Sequence, residues 1–414
     1  MKHLISVSAL VLSMAACSSD PGPGGGASGS GNTTAGASAT GGKSSAGGGS
    51  AVAGSPSTGG GGAGTAGGGN TAGAAPTAGA PAAGGTAGTS AGGAGAGAGG
   101  GMSAAGSTSA GGAGPAATFK CDNLSLAPSM AGVAKPAGAA GGLKVLDWAG
   151  FKGAASFTFD DNTPSQLQNY AALKATGGHF TWFLIASSAA ADYKMTIADG
   201  QEIANHTQTH PQGASAGEVT NAQSTLKTKF GVDVHSMAAP NCLDDWRQFA
   251  APAKLFQDRG PCGNGIATVG PRDTTDPFKL PAWLPAGNES AAIMSGAITM
   301  GKWRIFVIHG FDAQGGTYQP VKIADTTSAM SKAVADGFWV EGMTNVGAYW
   351  QGQKLIPATA TTSATWTLPA NFPPNMCVRI TTTGGTVKQK GETISWDPHG
   401  YYQISLDAGE VTIK

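Results

Sequence analysis

The chain has 414 residues, 68 of them glycine, and its 24 Lys and Arg are balanced by 24 Asp and Glu. That balance leaves no basic field to attract nucleic acid or an anionic lipid surface. Only Lys2, Lys43 and Asp20 among those charges precede residue 119, so the part able to fold is 119–414, enough for one large domain and a small one.

Residues 1–17 begin with Lys2 and His3, continue through Ile5, Val7, Leu10, Val11 and Leu12, and reach small residues before Cys17. This is the layout of a secretory signal, too short for a membrane span. Met14-Ala15-Ala16-Cys17 resembles the lipobox of bacterial lipoproteins. The resemblance implies acylation of Cys17, export, and anchoring at the outer membrane or cell surface, with membrane contact through that lipid only. Residues 18–118 are almost wholly Gly, Ala, Ser, Thr and Pro without an aromatic, a composition that cannot offset its ordering entropy and reads as a disordered tether. Such a coil spans roughly 55 Å end to end. The remaining cysteines, Cys121, Cys242, Cys262 and Cys377, are an even set in an exported chain and suggest two disulfides. Three pairings are possible; closeness in sequence and a shared Gly/Pro/Asn-rich setting favour Cys242 with Cys262, leaving Cys121 with Cys377.

From Phe119 to Gly142 the text is an irregular lead-in, followed by a short strand over Val145–Trp148. Ala154–Phe159 is a stronger strand and ends in Asp160-Asp161, the position where α/β barrels and open sheets keep their chemistry. Thr163-Pro164 starts a helix over Ser165–Thr176, closed by Gly177-Gly178. His179–Ile185 is apolar enough to be a strand buried on both faces. Gln201–Ala204 leads into His206, and Ser215–Phe230 carries helical spacing through Val219, Ala222, Leu226 and Phe230. Val234–Ala239 is another strand, stopped by Pro240. A helix over Asp244–Gln257, a Gly/Pro-rich loop over Gly260–Pro281 and a final apolar strand over Trp303–Ile308, ending at His309, come next. The expected order then runs through a helix at Ile323–Asp336, a strand at Phe338–Val340 and a last helical segment at Thr344–Tyr349. From about Gln353 short Thr/Val/Ile runs with turns at Gly384-Gly385 and Asp407-Ala408-Gly409 predict a small antiparallel β module.

Taken singly, an Asp pair is turn or cap chemistry, an H-x-x-x-H spacing is a solvated face, and a lone histidine is a hydrogen-bonded core residue. Three strand ends, however, deliver Asp160 with Asp161, His206 with His210, and His309, and one carboxylate with two imidazoles is a common way to hold a catalytic cation with an open position. Trp182, Trp303 and Trp339 belong to apolar runs, while Trp246, Trp283 and Trp350 border loops.

These residues resemble the polysaccharide deacetylases, the NodB-homology domain of carbohydrate esterase family four, over roughly 145–350. Thr158-Phe159-Asp160-Asp161 is similar to the first family motif, His206-Thr207-Gln208-Thr209-His210 to the second, H-[ST]-x-x-H, and Val307-Ile308-His309 to the closing L-x-H. The resemblance implies a distorted (β/α) barrel of that type over 119–350, followed by the β module at 351–414. It also implies Asp161, His206 and His210 as ligands of a divalent cation, Zn2+ first, with Co2+, Ni2+ or Mn2+ as alternatives. Asp160 would be the general base on water and His309 the acid for the leaving group; the backbone N–H of Asn241, after Pro240, would be a donor to the oxyanion. Two departures stand out. The first motif continues with Asn162 where the family has glycine, and Met237-Ala238-Ala239-Pro240-Asn241 lacks the arginine that orients the catalytic aspartate, leaving Arg259 and Arg304 as candidates. Asp244-Asp245-Trp246 has fourth-motif letters but lies too close behind Pro240. The expected function is acetyl removal, by N- or O-deacetylation, from an acetylated polysaccharide partner by a monomeric enzyme. The alternative is a carbohydrate-binding surface protein or adhesin that has lost turnover, suggested by the missing arginine and the long tether.

Overall fold

The structure is a computed structural model describing residues 119–414 apart from 129–130, 264, 266, 288 and 312–316. The signal segment, the tether and the lipidation candidate Cys17 lie outside the described residues. After β1 (Lys144–Val145), the parallel strands are β2 (Ala154–Asp160), β3 (Thr181–Leu184), β4 (Glu202–Asn205), β5 (Ser236–Ala238), β6 (Gln257–Arg259), β7 (Cys262–Gly263), β8 (Ala282–Trp283), β9 (Trp303–Ile308) and β10 (Trp339–Val340). They follow the order β6-β5-β4-β3-β2-β9-β8-β7, with β10 paired to the start of β2.

The two ends of that order are one stretch of chain. β6 pairs with β5, and three residues after Arg259, past Gly260-Pro261, β7 pairs with β8. Hydrogen bonds from Asp258 N to Pro277 O (2.9 Å) and from Leu280 N to Asp258 O (3.1 Å) line the seam. The sheet is therefore a near-closed parallel barrel whose C-terminal strand ends share one rim.

Period-two alternation divides the apolar residues of each strand between two cores. Ala154, Phe183, Ala204, Ala238, Ile305 and Val307 face the inside, in one cluster with Trp303 and Trp339. Ala155, Phe157, Phe159, Trp182, Leu184, Met237, Phe306 and Ile308 face outward under the helices. The helix expected at Ser165–Thr176 is two short ones, α1 (Pro164–Gln168) and α2 (Tyr170–Lys174), because the Asn169 side chain takes the Ser165 carbonyl at 2.8 Å at the break. After α3 (Lys194–Ile197), α4 (Ala216–Phe230) buries Val219, Ala222, Leu226 and Phe230 as its spacing predicts, and Gly231 ends it with φ +76°.

Between Asp244 and Gln257 the sequence misled. Only a 3-10 turn at Asp244–Trp246 and the short α5 (Arg247–Ala250) are helical, and Gln257 opens a strand. The Gly/Pro-rich stretch after it contains β7 and β8, each two residues long, too short for a periodic signal. α6 (Ala291–Gly296) packs beside α7 (Ile323–Ala335). The last helix, α8 (Met343–Leu355), is about two turns longer than expected and buried from Met343 to Gln353 except at Asn345. Two glycines allow that: a Cβ on Gly347 would lie 1.8 Å from Gln257 Oε1, and one on Gly352 would lie 2.4 Å from Leu406 Cδ1.

The module is antiparallel as expected. β11 (Ser363–Thr365), β13 (Val387–Gln389), β14 (Glu392–Thr393) and β17 (Glu410–Ile413) form one sheet; β12 (Cys377–Thr381), β15 (Trp396–Asp397) and β16 (Tyr401–Ser405) form the other, to which β1 adds a strand. The lead-in is tied to it by the Cys121–Cys377 disulfide, by Asn123 bonding both backbone groups of Cys377, and by Arg379 donating to Leu124 O and Leu126 O. No helix among the described residues is long and apolar enough to cross a membrane.

Candidate active site and cation site

At the C-terminal rim, β2 ends in Asp160 and passes into a sharp turn in which Asp161 and Asn162 have φ of +74° and +55°. Asparagine tolerates the left-handed region better than most residues with a side chain. Here Asn162 also bonds Ile185 in both directions, Nδ2 to O at 2.8 Å and N to Oδ1 at 3.1 Å. The residue in the glycine's place thus supports the turn that separates the two carboxylates. Gln166 closes the rim on the other side, its Nε2 donating to the carbonyls of Asp160 and His309.

The loop after β4 is not helical. Thr207 and His210 have φ of +65° and +57°, and Asn205 Oδ1 takes the Thr207 N–H at 2.7 Å. Ser215 and Glu218 have the spacing of a capping box, and Ser215 does accept from Glu218 N at 3.4 Å. The Glu218 carboxylate turns instead to Thr209, taking its N–H at 2.7 Å and its hydroxyl at 3.0 Å. The first turn of α4 thereby fixes the loop that aims the two imidazoles.

His206 is buried, and its Nδ1 lies 2.9 Å from Ala238 O, which puts the ring proton on Nδ1 and leaves the Nε2 lone pair toward Asp161. Asp161 Oδ1 is 3.3 Å from His206 Nε2 and 3.6 Å from His210 Nε2. It is nonetheless a buried acceptor without an aligned hydrogen bond among the described residues. Ligands held about 2.0–2.1 Å from a tetrahedral cation lie roughly 3.3 Å from one another. One ligand atom from each of Asp161, His206 and His210 falls within 4.8 Å of the others. The orphaned oxygen, the fixed tautomer and the spacings all fit a divalent cation.

A guanidinium does stand on Asp160, that of Arg259. From the end of β6 its guanidinium forks onto Asp160, Nη1 to Oδ1 at 2.8 Å and Nη2 to Oδ2, and Nη1 also donates to Thr158 Oγ1 at 2.7 Å. Both partners are buried, and the guanidinium lies over the Phe183 ring, 5.0 Å from its centroid. Arg304, the other candidate, donates to the carbonyls of Ala297 and Ala267 and takes no part.

Burial is the largest influence on Asp160 and would raise its pKa, but Arg259 and then His206 outweigh it and hold the carboxyl below the ordinary range. For Asp161, burial is likewise outweighed, by His206 and then His309 and His210, and its pKa is about 2. Burial disfavours charge on His206, yet Asp160 and Asp161 raise its pKa above the usual value. Burial dominates at His210 and His309 and lowers both. In the free protein His309 is therefore weighted toward neutral imidazole, and the acid role assigned from sequence draws on its minority protonated form.

Asp160, Asp161, His206, His210 and His309 line one groove of about 480 Å³, joined by Asn241, Leu284, Tyr318 and the disulfide-bonded Cys242 and Cys262. Pro240 is buried and starts a turn in which Asn241 has φ +54°. Its N–H has no acceptor among the described residues. Tyr318, exposed at the mouth, meets His309 edge to face at 5.3 Å. A larger cavity of about 620 Å³ at the opposite strand ends, near Gln201, Glu202, His235 and Thr344, brings together no comparable set. Trp246, Trp283 and Trp350 are all buried and serve the core.

Sequence reasoning missed Gln166 and the turned-out Glu218, whose letters are ordinary in helix starts. It named Arg259 without a positional reason, because the strand that delivers it was read as helix and loop.

Residues 151–246 match the family model described as polysaccharide deacetylase. Among solved structures, the chain is similar to the Xyl-CE4 domain of a multidomain xylanase from the hindgut metagenome of Trinervitermes trinervoides, with 17% identity and TM-score 0.33 over 51% of this chain and 95% of that one. It is also similar to the peptidoglycan deacetylase PdaC from Bacillus subtilis, with 16% identity and TM-score 0.31 over 48% and 91%. A family 4 carbohydrate esterase from Streptomyces lividans in complex with acetate aligns with 19% identity and TM-score 0.33 over 47% and 94%. No curated protein sequence matches the chain.

Proposed function

We propose that this chain, which belongs through residues 151–246 to the polysaccharide deacetylase family, is a cation-dependent hydrolase removing acetyl groups from an extracytoplasmic polysaccharide. The substrate is an N-acetyl amino sugar polymer or an O-acetylated, xylan-like polymer. One observation carries the reading: an ionised Asp160, forked by Arg259, faces the Asp161, His206 and His210 cluster in a groove open to solvent.

Asp161, His206 and His210 would hold the cation, Zn2+ before Co2+, Ni2+ or Mn2+. When bound, a divalent cation supplies Lewis acidity toward the acetyl carbonyl and toward water. Asp160 accepts the proton of the attacking water while Arg259 keeps its carboxylate ionised and fixed in orientation. A C–O bond forms at the carbonyl carbon, and the Asn241 N–H donates to the oxygen that gains charge. His309 gives a proton to the departing nitrogen or oxygen as its bond to carbon breaks, yielding acetate and a free amine or hydroxyl. Tyr318 offers a ring face at the mouth of the groove to a sugar.

The lipobox at residues 14–17 and the tether 18–118 support an exported lipoprotein anchored by Cys17 at the outer membrane or cell surface, acting as a monomer. The adhesin alternative draws on the missing arginine and the long tether; Arg259 on Asp160 answers the first, and the second stands.

Acetate release from acetylated xylan, chitooligosaccharides and peptidoglycan, with and without chelator, tests the proposal. Asp160→Asn should lose at least about 100-fold in rate while keeping its cation. No release by the cation-loaded chain from any of these substrates would return the adhesin reading to first place.

A further inference from the structure

Two residues lining the groove have no part in that chemistry, Cys242 and Cys262, joined by a disulfide with their Cα atoms 5.4 Å apart. Cys242 directly follows Asn241, and both residues have left-handed backbone, φ +55° and +54°. Residues with a Cβ hold that conformation only when their surroundings over-determine it. The hydrogen bonds of this turn run inside it, Cys242 N to Ala239 O at 3.0 Å and Leu243 N to Pro240 O at 3.2 Å. Outside contact enters at its start, where Ala239 N bonds Arg259 O at 3.4 Å, and beyond Pro240 through the bond to Cys262. That residue opens β7, just past Arg259, so a single stretch of chain carries the guanidinium on Asp160 at one end and the sulfur on the Asn241 turn at the other.

Resting on the reaction proposed above, we infer that the Cys242–Cys262 disulfide is a positioning device: it holds the Asn241 N–H at a fixed offset from the Arg259–Asp160 pair. β5 is three residues long, paired along its length with β6 but with β4 only at Asn205–Met237, and its ladder ends at Ala239, so strand pairing does not extend to Asn241 and Cys242. A donor aimed at developing charge loses its value with small displacements, and about 1 Å costs on the order of 100-fold. The Cys121–Cys377 disulfide touches none of these groups and serves as the control.

The test compares the full chain with Cys242→Ser/Cys262→Ser and Cys121→Ser/Cys377→Ser, reading amide hydrogen exchange, bound cation, kcat and KM. In the first variant, exchange over residues 239–243 should accelerate about tenfold or more. Its kcat should fall at least about tenfold with KM within about twofold and cation content unchanged. The control variant should move neither that exchange nor kcat. Unchanged exchange at 239–243, or unchanged kcat, in Cys242→Ser/Cys262→Ser overturns the inference. Should the serine pair fail to fold, Cys242→Ala/Cys262→Val fills the space without the bond and is read in the same way. If the wild-type chain releases acetate from no substrate, the proposed reaction falls, and the exchange measurement still decides whether the disulfide holds the turn.

Discussion

Arg259→Met removes the guanidinium that forks onto Asp160, the proposed base. Asp160 is buried, and its two oxygens share the guanidinium fork, so the variant leaves a carboxylate stranded in a low-dielectric site. Breaking one partner out of a buried pair costs roughly 3–5 kcal/mol. The carboxyl escapes much of that cost by taking up a proton, because burial, which favours the neutral acid, then acts unopposed by its largest counterweight. The sign is fixed. In the wild type the depressed pKa keeps the base ionised down to acidic pH, and in the variant the acid limb of the pH profile of kcat/KM moves upward. Below the new limb the lost base is worth about 10²–10⁴ in rate, partly restored by raising the pH. Arg259→Lys keeps the charge without the fork and should fall between the two. Arg304→Met, which only loses bonds to the Ala297 and Ala267 carbonyls, should leave the limb in place. The assay is acetate release across pH on cation-loaded protein shown to be folded by circular dichroism. An acid limb in Arg259→Met at the wild-type position, with rates within about twofold, refutes the role given to Arg259.

His206→Ala should lose bound cation, and undiminished zinc in that variant contradicts the ligand set. In the wild type, proton and cation compete for His206, whose pKa lies above 6.5, so affinity should weaken as pH falls through that raised value. The drop should be about tenfold per pH unit for one displaced proton, measured by chelator competition; pH-independent affinity would count against it. His309→Ala should cost about 100-fold on an N-acetyl sugar, whose leaving nitrogen needs a proton, and little on an aryl acetate, whose leaving group does not. Equal losses on both substrates would remove His309 from the acid role. Opening the Cys121–Cys377 disulfide, which spans 256 residues, should lower stability by up to roughly 5 kcal/mol by the chain-entropy argument and leave kcat unchanged. A melting temperature that does not move would show that β1–β12 pairing and the Asn123 bonds already suffice.

The sequence by itself determined the ends of β2 and β9 and what they carry, and the buried run of β3. Ala154–Asp160, His179–Ile185 and Trp303–Ile308 are runs long enough for apolar burial on both faces to leave a signal, and the first and last lead directly to Asp161 and His309. Helices α4 and α7 were legible for the same reason: their apolar spacing repeats over three turns or more. Tertiary structure decided what short elements do. β6, β7 and β8 are two or three residues each, and their strand state comes from pairing across the barrel seam rather than from any local preference. Arg259 could therefore not be given its partner from sequence: 99 positions separate it from Asp160, and only barrel closure brings the two within hydrogen-bond distance. Glu218 likewise carries a capping letter that packing redirects to the His210 loop. Local pattern writes the candidate ligands, while contacts between distant strand ends select which charge stands beside the proposed base.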